Sequence, residues 1–323
     1  MPVAYWCNSQ PMFAGFLPPS ERLLLRSDAL ELEVWPQLGA AVAALAFRSP
    51  DGRRIPLFRE AGNRERYTPV DHLSSWPLLP YSNRIRAGRF AYQGRQHILP
   101  ANYPGVRHPL HGVGWLRAWR HLESGVQHCA LGLNHHSNAH WPYNFSAQQH
   151  YWLEGSTLHS RLSLTNTSEL AMPCGLGQHP YVNCPTGTRI RAQVRGVWLS
   201  DDEALPRAYE LLPQQWNLAA GILLDNLYVD NCFDGLNGAI EVRWPDGSTL
   251  IVEGSPNLQF LVVYHPQGGD YVCLEPVSHM PDAFNHQCAA RDSGMLVLQP
   301  GATLQVTHRY SYQPAPPRGI NCL

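Results

Sequence analysis

The stretch AIEVRWPDGSTLIVEG (239–254) consists of two alternating apolar and polar runs joined by PDGS (245–248). A period of two places successive side chains on opposite faces of a strand, and a junction of this composition is typical of a tight turn. The same pattern recurs in RFAYQGRQHIL (89–99), which turns at its QG pair, and in SPDGRRIPLF (49–58). These segments predict β-hairpins and therefore antiparallel pairing.

Strand-like segments continue along most of the remaining chain. β-branched and aromatic residues fill them, which suits a pleated, half-buried surface. These further strand predictions lie at 29–36, 157–166, 258–266, 271–277 and 303–313. The only helix that the pattern predicts is a short one over 205–212.

The fold class predicted is all-β, a large antiparallel β-sandwich in which many short strands form packed sheets. The 28 prolines and 26 glycines are spread through the chain, as expected for many turns, so one domain is predicted over 1–323. The tail, about 314–323, contains PAPPRG and is expected to fray. Periodicity fits a jelly roll and an ordinary sandwich equally well, so it leaves the topology open.

The composition of the chain limits the classes of molecule that the protein is expected to bind. The net charge is −1, the pI is about 7.0 and 44% of the 323 residues are hydrophobic. No basic stripe is available for nucleic acid or anionic lipid, so a small neutral molecule is the expected partner, with a monomer or homodimer as the assembly. The chain contains no lysine, which excludes a lysine Schiff base, a P-loop lysine and a lysine general base.

Cysteine usage and the N-terminal sequence suggest the cellular compartment. None of the eight cysteines forms a C-x-x-C pair, so neither a zinc ribbon nor a thioredoxin-like motif is indicated. The N-terminus lacks the pattern of a signal peptide, and no apolar run is long enough for a membrane span. A cytoplasmic protein with reduced thiols is the simplest prediction.

Two segments in the first half of the chain carry more polar functionality than turns need. LLPYSNRIRAGRF (78–90) contains Asn83 and Arg84, and an arginine there could present its planar fork of donors to sugar hydroxyls. HPLHGVGW (108–115) contains His111 and Trp115 beside glycines, which let a backbone approach a ligand closely, and the indole could pack on a sugar face. A solvated turn and a structural histidine are the non-functional interpretations of the two segments.

Two later segments supply groups suited to proton transfer. His179 in CGLGQHPYVNCP (174–185) precedes a proline and must be extended, which can aim its imidazole off a strand end. Glu275 lies in the apolar strand YVCLEPV (271–277), where a carboxylate is costly to bury without a partner. A functional role is favoured for Glu275 over a structural ion pair, and Asp282 is interpreted as a turn residue.

A histidine cluster in LNHHSNAHWPYNF (133–145) is the remaining candidate for metal binding. His136 and His140 have a spacing that would suit zinc on a helix, with His135 beside them. The asparagines and Pro142 make a helix improbable there, so no metal site and no cofactor are expected.

These motifs, PYSNRI before a hairpin, then HG, then HPY, then EPVSHMPDAFN, resemble in order and spacing the aldose 1-epimerase (galactose mutarotase) family. The resemblance runs from about Val34 to Tyr310. It implies a β-sandwich of the galactose mutarotase-like supersandwich type with an open sugar cleft. It also implies an isomerase that interconverts the α and β anomers of a free aldohexose without a cofactor.

The resemblance implies roles for matched positions. Glu275 matches the general base, His179 the general acid at the ring oxygen, and His111 a second active-site histidine. Arg84 matches a hydroxyl-binding arginine, and Asp230 in YVDNCF matches the sugar-binding aspartate, with Asp225 as a rival. The reaction would need one base and one acid, placed on opposite sides of the reacting centre.

Two departures from the family pattern concern the cleft floor. The family usually has aromatic residues flanking the HPY core, and this chain has Gln178 and Val182 at those places. The catalytic histidine is intact, but the shape of the cleft floor, and with it the sugar preference, is placed in question.

Different activities on the same fold also remain open. A hexose-6-phosphate 1-epimerase would need a cationic phosphate site, which nearby arginines could build: Arg86, Arg89, Arg95 and Arg107. A non-catalytic protein that keeps the sugar cleft is a second hypothesis. A glycoside hydrolase or lyase is a third, although Glu275 has no obvious second carboxylate partner in sequence.

Overall fold

The computed structural model describes residues 21–60, 70–286 and 292–316. Within these ranges the chain forms 25 strands and five short 3-10 turns. The strands in the first half are β1 Leu23–Arg26, β2 Leu30–Trp35, β3 Ala41–Arg48, β4 Arg54–Pro56, β5 Pro77–Leu78, β6 Arg89–Tyr92, β7 Arg95–Ile98, β8 Arg120–Ser124, β9 His128–His135, β10 Phe145–Glu154, β11 Thr157–Asn166, β12 Met172–Cys174 and β13 Gly177–Gln178. The others are β14 Tyr181–Asn183, β15 Arg189–Arg191, β16 Gly196–Ser200, β17 Pro206–Leu211, β18 Ile222–Leu223, β19 Val229–Asp234, β20 Ile240–Arg243, β21 Thr249–Gly254, β22 Phe260–His265, β23 Tyr271–Val277, β24 Leu296–Leu298 and β25 Thr303–Gln313. The 3-10 turns are Val70–His72, Arg86–Gly88, Gly114–Leu116, Gln214–Trp216 and Ala283–Asn285.

The larger sheet has nine strands in the order β18-β15-β20-β21-β25-β11-β10-β9-β8. Its long central strands β10, β11 and β25 pair antiparallel along nearly their whole lengths. Burial alternates residue by residue along β11, with Leu158, Leu162 and Leu164 on the buried face. This alternation is the period-two pattern of a sheet with one face on the core.

The second sheet has eight strands and carries the candidate site. Its order is β17-β16-β19-β22-β23-β13-β5, with β14 pairing on β23. Nearly every residue of β22 and β23 is buried, so both faces of this sheet are covered at its centre. Phe58 packs edge-on against Tyr310 of the larger sheet, and His308 Nε2 lies 2.9 Å from the carbonyl of Pro276 on β23. The two sheets therefore pack face to face, as the predicted all-β sandwich requires.

Smaller sheets complete the architecture. The strands β1 to β4 form a four-stranded meander, β6 pairs with β7, and β12 pairs with β24. The predicted hairpins are confirmed at β3–β4, β6–β7 and β20–β21. In the β6–β7 turn Gln93 and Gly94 both have positive φ, at 48° and 73°, which is the backbone that suits a two-residue hairpin.

The predicted helix at 205–212 is wrong. Pro206–Leu211 is strand β17, which pairs with β16 at the edge of the eight-stranded sheet, across an irregularity at Leu199/Ser200. Pairing with a neighbouring strand overrides the weak local preference of a segment too short to hold a helix alone. The predicted frayed tail lies outside the described residues from 317 onward.

Two further observations concern the predicted compartment. Among the described residues, the cysteines are buried free thiols, at Cys129, Cys174, Cys184, Cys232 and Cys273. Cys7, Cys288 and Cys322 lie outside the described ranges. No helix in those ranges has the length and apolar character needed to cross a bilayer.

Candidate active site

A cleft of about 380 Å³ opens on the eight-stranded sheet, over β19, β22 and β23. All seven residues that the sequence singled out line it, although they come from segments far apart along the chain. They are Asn83, Arg84, His111, Trp115, His179, Asp230 and Glu275. The rival Asp225 does not line the cleft; its Oδ1 accepts a 2.8 Å hydrogen bond from the Gly187 amide. The structure therefore brings Asp230, and not Asp225, to the candidate site.

Glu275 projects from β23 into this cleft and is only 2% exposed. Its Oε1 lies 3.4 Å from His179 Nε2, and its Oε2 has no hydrogen-bond partner. Burial raises the pKa of Glu275 well above its ordinary value, the nearby charge of Asp230 raises it further, and Arg84 opposes both. A buried carboxylate with an unsatisfied oxygen fits the functional role predicted from its apolar strand.

His179 follows the two-residue strand β13, where its amide donates to the Trp76 carbonyl at 3.0 Å. The rings of Trp76 and Tyr181 pack against the imidazole with centroids 4.6 and 4.9 Å away. Burial lowers the pKa of His179 to about 3, and the charges of Arg59 and Arg84 act in the same direction. The strand, the following proline and two aromatic rings therefore hold a neutral imidazole in one orientation.

His179 and Glu275 lie side by side, which corrects the expectation that acid and base flank the reacting centre from opposite sides. The contact arises because β13 and β23 are paired neighbours in the sheet. The anomeric oxygen and the ring oxygen of an aldose are both bonded to C1. Two side chains that lie side by side can therefore both face these oxygens from one side of a sugar ring.

His111 has its tautomer fixed by the chain. Its Nδ1 accepts a 3.0 Å hydrogen bond from the Asn83 amide, so the ring proton is on Nε2. Its own amide donates to the Asn83 carbonyl at 2.9 Å, which makes the pairing reciprocal. Burial lowers the pKa of His111 well below 6.5, helped by His179 and Arg84. His111 is therefore a neutral hydrogen-bond donor in the cleft.

Gly112 lets two backbone segments pack closely together. Its sequence context had instead suggested that it lets the backbone approach a ligand. Its φ is 68°, and a Cβ at this position would lie 2.1 Å from the Leu79 carbonyl oxygen. The residue therefore lets the His111 turn pass against the Leu79–Pro80 backbone.

The loop that carries Arg84 is tied to the EPVSHMPDAFN segment. Asp282 donates its amide to the Arg84 carbonyl at 2.8 Å and accepts from the Arg86 amide at 2.9 Å. His279 Nε2 accepts from the Ser82 amide at 3.1 Å. Asp282 has φ 56°, so it is the turn residue that was predicted, and it also positions Arg84.

Arg84 and Asp230 give the cleft one cation and one acceptor for hydroxyl groups. The Asn83 side-chain oxygen accepts from both the amide and the Nη1 of Arg84, at 2.9 and 3.3 Å. Burial raises the pKa of Asp230, and Arg84 acts against this shift. Asn83 thus orients the guanidinium, which holds Asp230 toward its charged form.

Trp115 lines the cleft but presents little surface to it. It is 1% exposed, stacks on Trp76 with ring centroids 5.7 Å apart, and donates its Nε1 to the Leu110 carbonyl. The predicted packing of this indole on a sugar face is therefore wrong, because its neighbours cover it. Tyr228, which is 55% exposed, and the half-buried Tyr264 present aromatic surface instead.

Nearly the whole described chain matches one protein family. The sequence profile named Aldose 1-epimerase matches residues 22–311. The chain belongs to the aldose 1-epimerase family. It is 34% identical over 237 residues to YphB of Escherichia coli K12, itself uncharacterised, and the match covers 71% of this chain and 80% of YphB. The resemblance stated from the motifs is confirmed.

Two solved structures share the fold. A proposed aldose 1-epimerase from Escherichia coli K12 superposes with a TM-score of 0.81 at 29% identity, over 91% of this chain and 99% of the other. A galactose mutarotase-like protein from Clostridium acetobutylicum superposes with a TM-score of 0.80 at 16% identity, over 90% and 95% of the two chains. The second likeness concerns the fold alone, and both confirm the predicted sandwich class.

The two departures from the aldose 1-epimerase pattern do not reach the cleft. Gln178 points between the sheets, where its Nε2 donates to Gln149 Oε1 at 2.8 Å and to Ser160 Oγ at 3.0 Å. Val182 is fully buried beside Phe58. Strand alternation puts Gln178 on the face opposite His179, so neither substitution forms part of the cleft floor.

Several cleft residues of this aldose 1-epimerase family member were missed by sequence analysis. Trp76 has no motif around it. Tyr264 could have been found because it lies two residues after Val262 on β22 and therefore on the same face of the strand. Tyr228 precedes Asp230 by two and shares its wall. Asp71 also lines the cleft, and its buried Oδ1 has no hydrogen-bond partner, so it offers a further acceptor for a hydroxyl group.

One group of potential metal ligands lies in the same site. Side-chain donor atoms of His179, Cys273 and Glu275 lie within 4.8 Å of one another. Burial raises the pKa of the Cys273 thiol, whereas thiolate is the form that binds metals. In the histidine cluster weighed from the sequence, His135 is buried, with its Nε2 3.1 Å from the Trp141 carbonyl.

Proposed function

We propose that this protein is an aldose 1-epimerase that interconverts the α and β anomers of a free aldohexose by general acid/base catalysis. The observation that carries the proposal is the contact between His179 Nε2 and Glu275 Oε1, 3.4 Å apart and buried in a cleft that also holds hydroxyl-binding groups. The proposed substrate is a small neutral sugar, and the proposed chemistry requires no cofactor.

Each step uses a group already in place. The pair shares one proton, and the reactive tautomer carries it on His179 with Glu275 as the carboxylate. Glu275 takes the proton of the C1 hydroxyl while His179 gives its shared proton to O5. The C1–O5 bonding pair leaves with O5, and a pair on the anomeric oxygen forms the carbonyl of the open-chain aldehyde. Rotation about C1–C2 presents the other carbonyl face, and the ring closes by the reverse transfers. No electron or group is exchanged.

Burial assists ring opening in this scheme. Transfer of both protons converts a carboxylate and an imidazolium into a carboxylic acid and a neutral imidazole. The low pKa of His179 and the raised pKa of Glu275 both favour the neutral pair. Arg84 favours the carboxylate of the charged pair but disfavours its imidazolium. The environment therefore makes His179 a strong proton donor and Glu275 a strong acceptor.

Charge supports a free sugar over a hexose 6-phosphate. The four arginines weighed for a phosphate site are exposed, and none lines the described walls of the cleft: Arg86, Arg89, Arg95 and Arg107. Arg86 lies 3.4 Å from an Asp201 oxygen, and Arg107 pairs with Glu203. The cleft itself carries one guanidinium and three carboxyl groups, at Asp71, Asp230 and Glu275.

Asp230 supplies the second carboxylate that sequence analysis did not find for a hydrolase. It lines the same cleft, and its charge raises the pKa of Glu275. The direct contact of Glu275 is with His179, which supports proton shuttling to a ring oxygen.

Polarimetry of freshly dissolved α-anomers tests the proposal. A catalysed approach to the equilibrium optical rotation is expected with free sugars. An uncatalysed rate with free sugars, together with a catalysed rate with sugar 6-phosphates, would reject it.

His111→Asn is expected to raise KM by more than it lowers kcat. The neutral Nε2–H of His111 binds substrate in ground state and transition state alike, and losing uniform binding raises KM alone. Steady-state polarimetry against sugar concentration measures both constants. A fall in kcat with unchanged KM would instead give His111 a role in the transition state.

The pH profile of kcat/KM is expected to stay level as pH falls through 6.5. His179 and Glu275 share one proton in the active form. Because burial lowers the pKa of His179 from 6.5 to about 3, the pair takes up a second proton only at a pH far below 6.5. Because the pKa of Glu275 is raised, the pair loses its single proton only above the ordinary carboxyl range. Initial rates, corrected for spontaneous mutarotation and checked by circular dichroism, give the profile. An acid limb centred near 6.5 would contradict it.

Exhaustive EDTA treatment is expected to leave the activity unchanged. The proposed transfers use only side chains, and the Cys273 thiol beside the pair is held protonated by burial. The measurement is the polarimetric rate before and after chelation and dialysis. Loss on chelation with recovery on adding one divalent ion would assign a metal role to the His179, Cys273 and Glu275 group.

A further inference from the structure

A second groove adjoins the cleft on the far side of Tyr228 and Asp230. This annex groove has a volume of about 490 Å³, larger than the cleft itself. It runs over β16 and β17 and is also lined by Trp216 and Ser200. Because Tyr228 and Asp230 line both spaces, the annex groove and the cleft are neighbours that share these two residues as a common wall.

Two aromatic side chains line the annex groove. Trp216 is half-buried and packs edge-on against the buried Phe233, with ring centroids 6.5 Å apart. Tyr228 stands 55% exposed between the two spaces. Rigid aromatic side chains provide large contact area at low entropic cost, with polar groups around them to fix orientation. A sugar ring, with apolar faces and hydroxyl edges, matches such walls.

The ionisable groups of the annex groove select against anions. Carboxylates outnumber guanidinium groups there by four to one: Asp201, Asp202, Glu210 and Asp230 against Arg207. Arg86 pairs with Asp201, which still leaves the lining negative. Carboxylates accept hydrogen bonds from hydroxyl groups and repel phosphate or sulfonate. The walls therefore suit a neutral polyhydroxyl group.

We propose, building on the proposed epimerase function, that the annex groove is a subsite for a second sugar ring. The preferred substrate is then a reducing disaccharide whose reducing ring occupies the cleft. Its C1 hydroxyl and O5 must face Glu275 and His179, so the second ring leaves from another hydroxyl and passes Tyr228 and Asp230. The glycosidic bond stays intact, and only the reducing ring opens and recloses.

Glucose and its reducing disaccharides, α-linked and β-linked at 1→2, 1→3, 1→4 and 1→6, form the test panel for wild type and Trp216→Ala. At least one disaccharide is expected to have a kcat/KM about tenfold higher than that of glucose. The second ring contributes binding energy in the transition state, and this energy raises kcat/KM. Trp216→Ala should abolish that advantage while glucose kcat/KM stays unchanged. Trp152→Ala, at a half-buried tryptophan on β10 of the other sheet, is the matched control and should keep the advantage.

Two further variants guard against misfolding of Trp216→Ala. Glu210→Ala and Arg207→Ala replace exposed residues of the annex groove and should reduce the disaccharide advantage without affecting glucose. Glucose turnover with no disaccharide above it, or an advantage that all three variants retain, would overturn the subsite and leave the epimerase proposal standing. Absence of anomer exchange with every sugar would reject the epimerase proposal, and the subsite with it.

Discussion

Glu275→Gln is expected to fold normally and to lose anomerase activity, with kcat lower by about 10²–10⁴-fold, the usual contribution of one general base. The amide has nearly the same shape but cannot accept the C1 hydroxyl proton. Its loss should not unfold the protein, because Glu275 Oε2 has no hydrogen-bond partner to lose and its closest polar contact is His179 at 3.4 Å. Polarimetric kcat together with the thermal unfolding midpoint measures both expectations.

Asp225→Asn is the matched control for Glu275→Gln. It makes the same change from carboxylate to amide, at an aspartate whose oxygen accepts from the Gly187 amide away from the cleft. The amide oxygen can accept the same bond, so kcat should stay near wild type. Near-normal kcat in a folded Glu275→Gln protein would remove Glu275 from the proton-transfer role.

His179→Asn is expected to lower kcat by about 10²–10⁴-fold if His179 supplies the whole acid contribution. The imidazole is aimed by β13 and by the rings of Trp76 and Tyr181, and asparagine has no titratable proton to deliver to O5. KM should change less than kcat. The comparison is with His111→Asn, measured in the same steady-state assay.

The order of the two histidine variants decides which one is the acid. His111 accepts the Asn83 amide at Nδ1 and cannot also lose its Nε2 proton readily, because a histidine anion would result. A larger kcat loss in His111→Asn than in His179→Asn would reverse the assignment of acid and helper.

Most of the fold could be predicted from the sequence because the pattern that defines it is local. Alternation in 239–254 and the turn between its halves specify a hairpin wherever the sheet places it. The segment at 205–212 failed because it lies at a sheet edge, where only the pairing of β17 with β16 makes it a strand. Which strands become neighbours depends on contacts across the whole chain, and no local pattern contains them.

The site was predictable to the extent that its residues lie in motifs. Glu275 was found because a carboxylate is costly in an apolar strand, and His179 because the following proline requires extended backbone that can aim its imidazole off a strand end. Their contact was not predictable, since it depends on β13 pairing with β23. Asp71 and Trp76 stand in no recognisable pattern, and only the cleft shows them together.

Orientation was a further limit of sequence analysis. Gln178 adjoins His179 in sequence but faces the inter-sheet layer, and Trp115 lies in the predicted position but is covered by Trp76. Which face a residue presents near the end of a two-residue strand depends on the register with its neighbours.

The most direct test of the proposed function is magnetisation exchange between the two anomeric protons of glucose at equilibrium, measured by NMR with catalytic amounts of protein. The proposal predicts exchange that scales with protein concentration, leaves the anomer ratio and the sugar concentration unchanged, and falls to the spontaneous rate with Glu275→Gln. Parallel samples of the reducing glucose disaccharides should retain their glycosidic signals. Absence of catalysed exchange in every sample, or release of free glucose from a disaccharide, would contradict it.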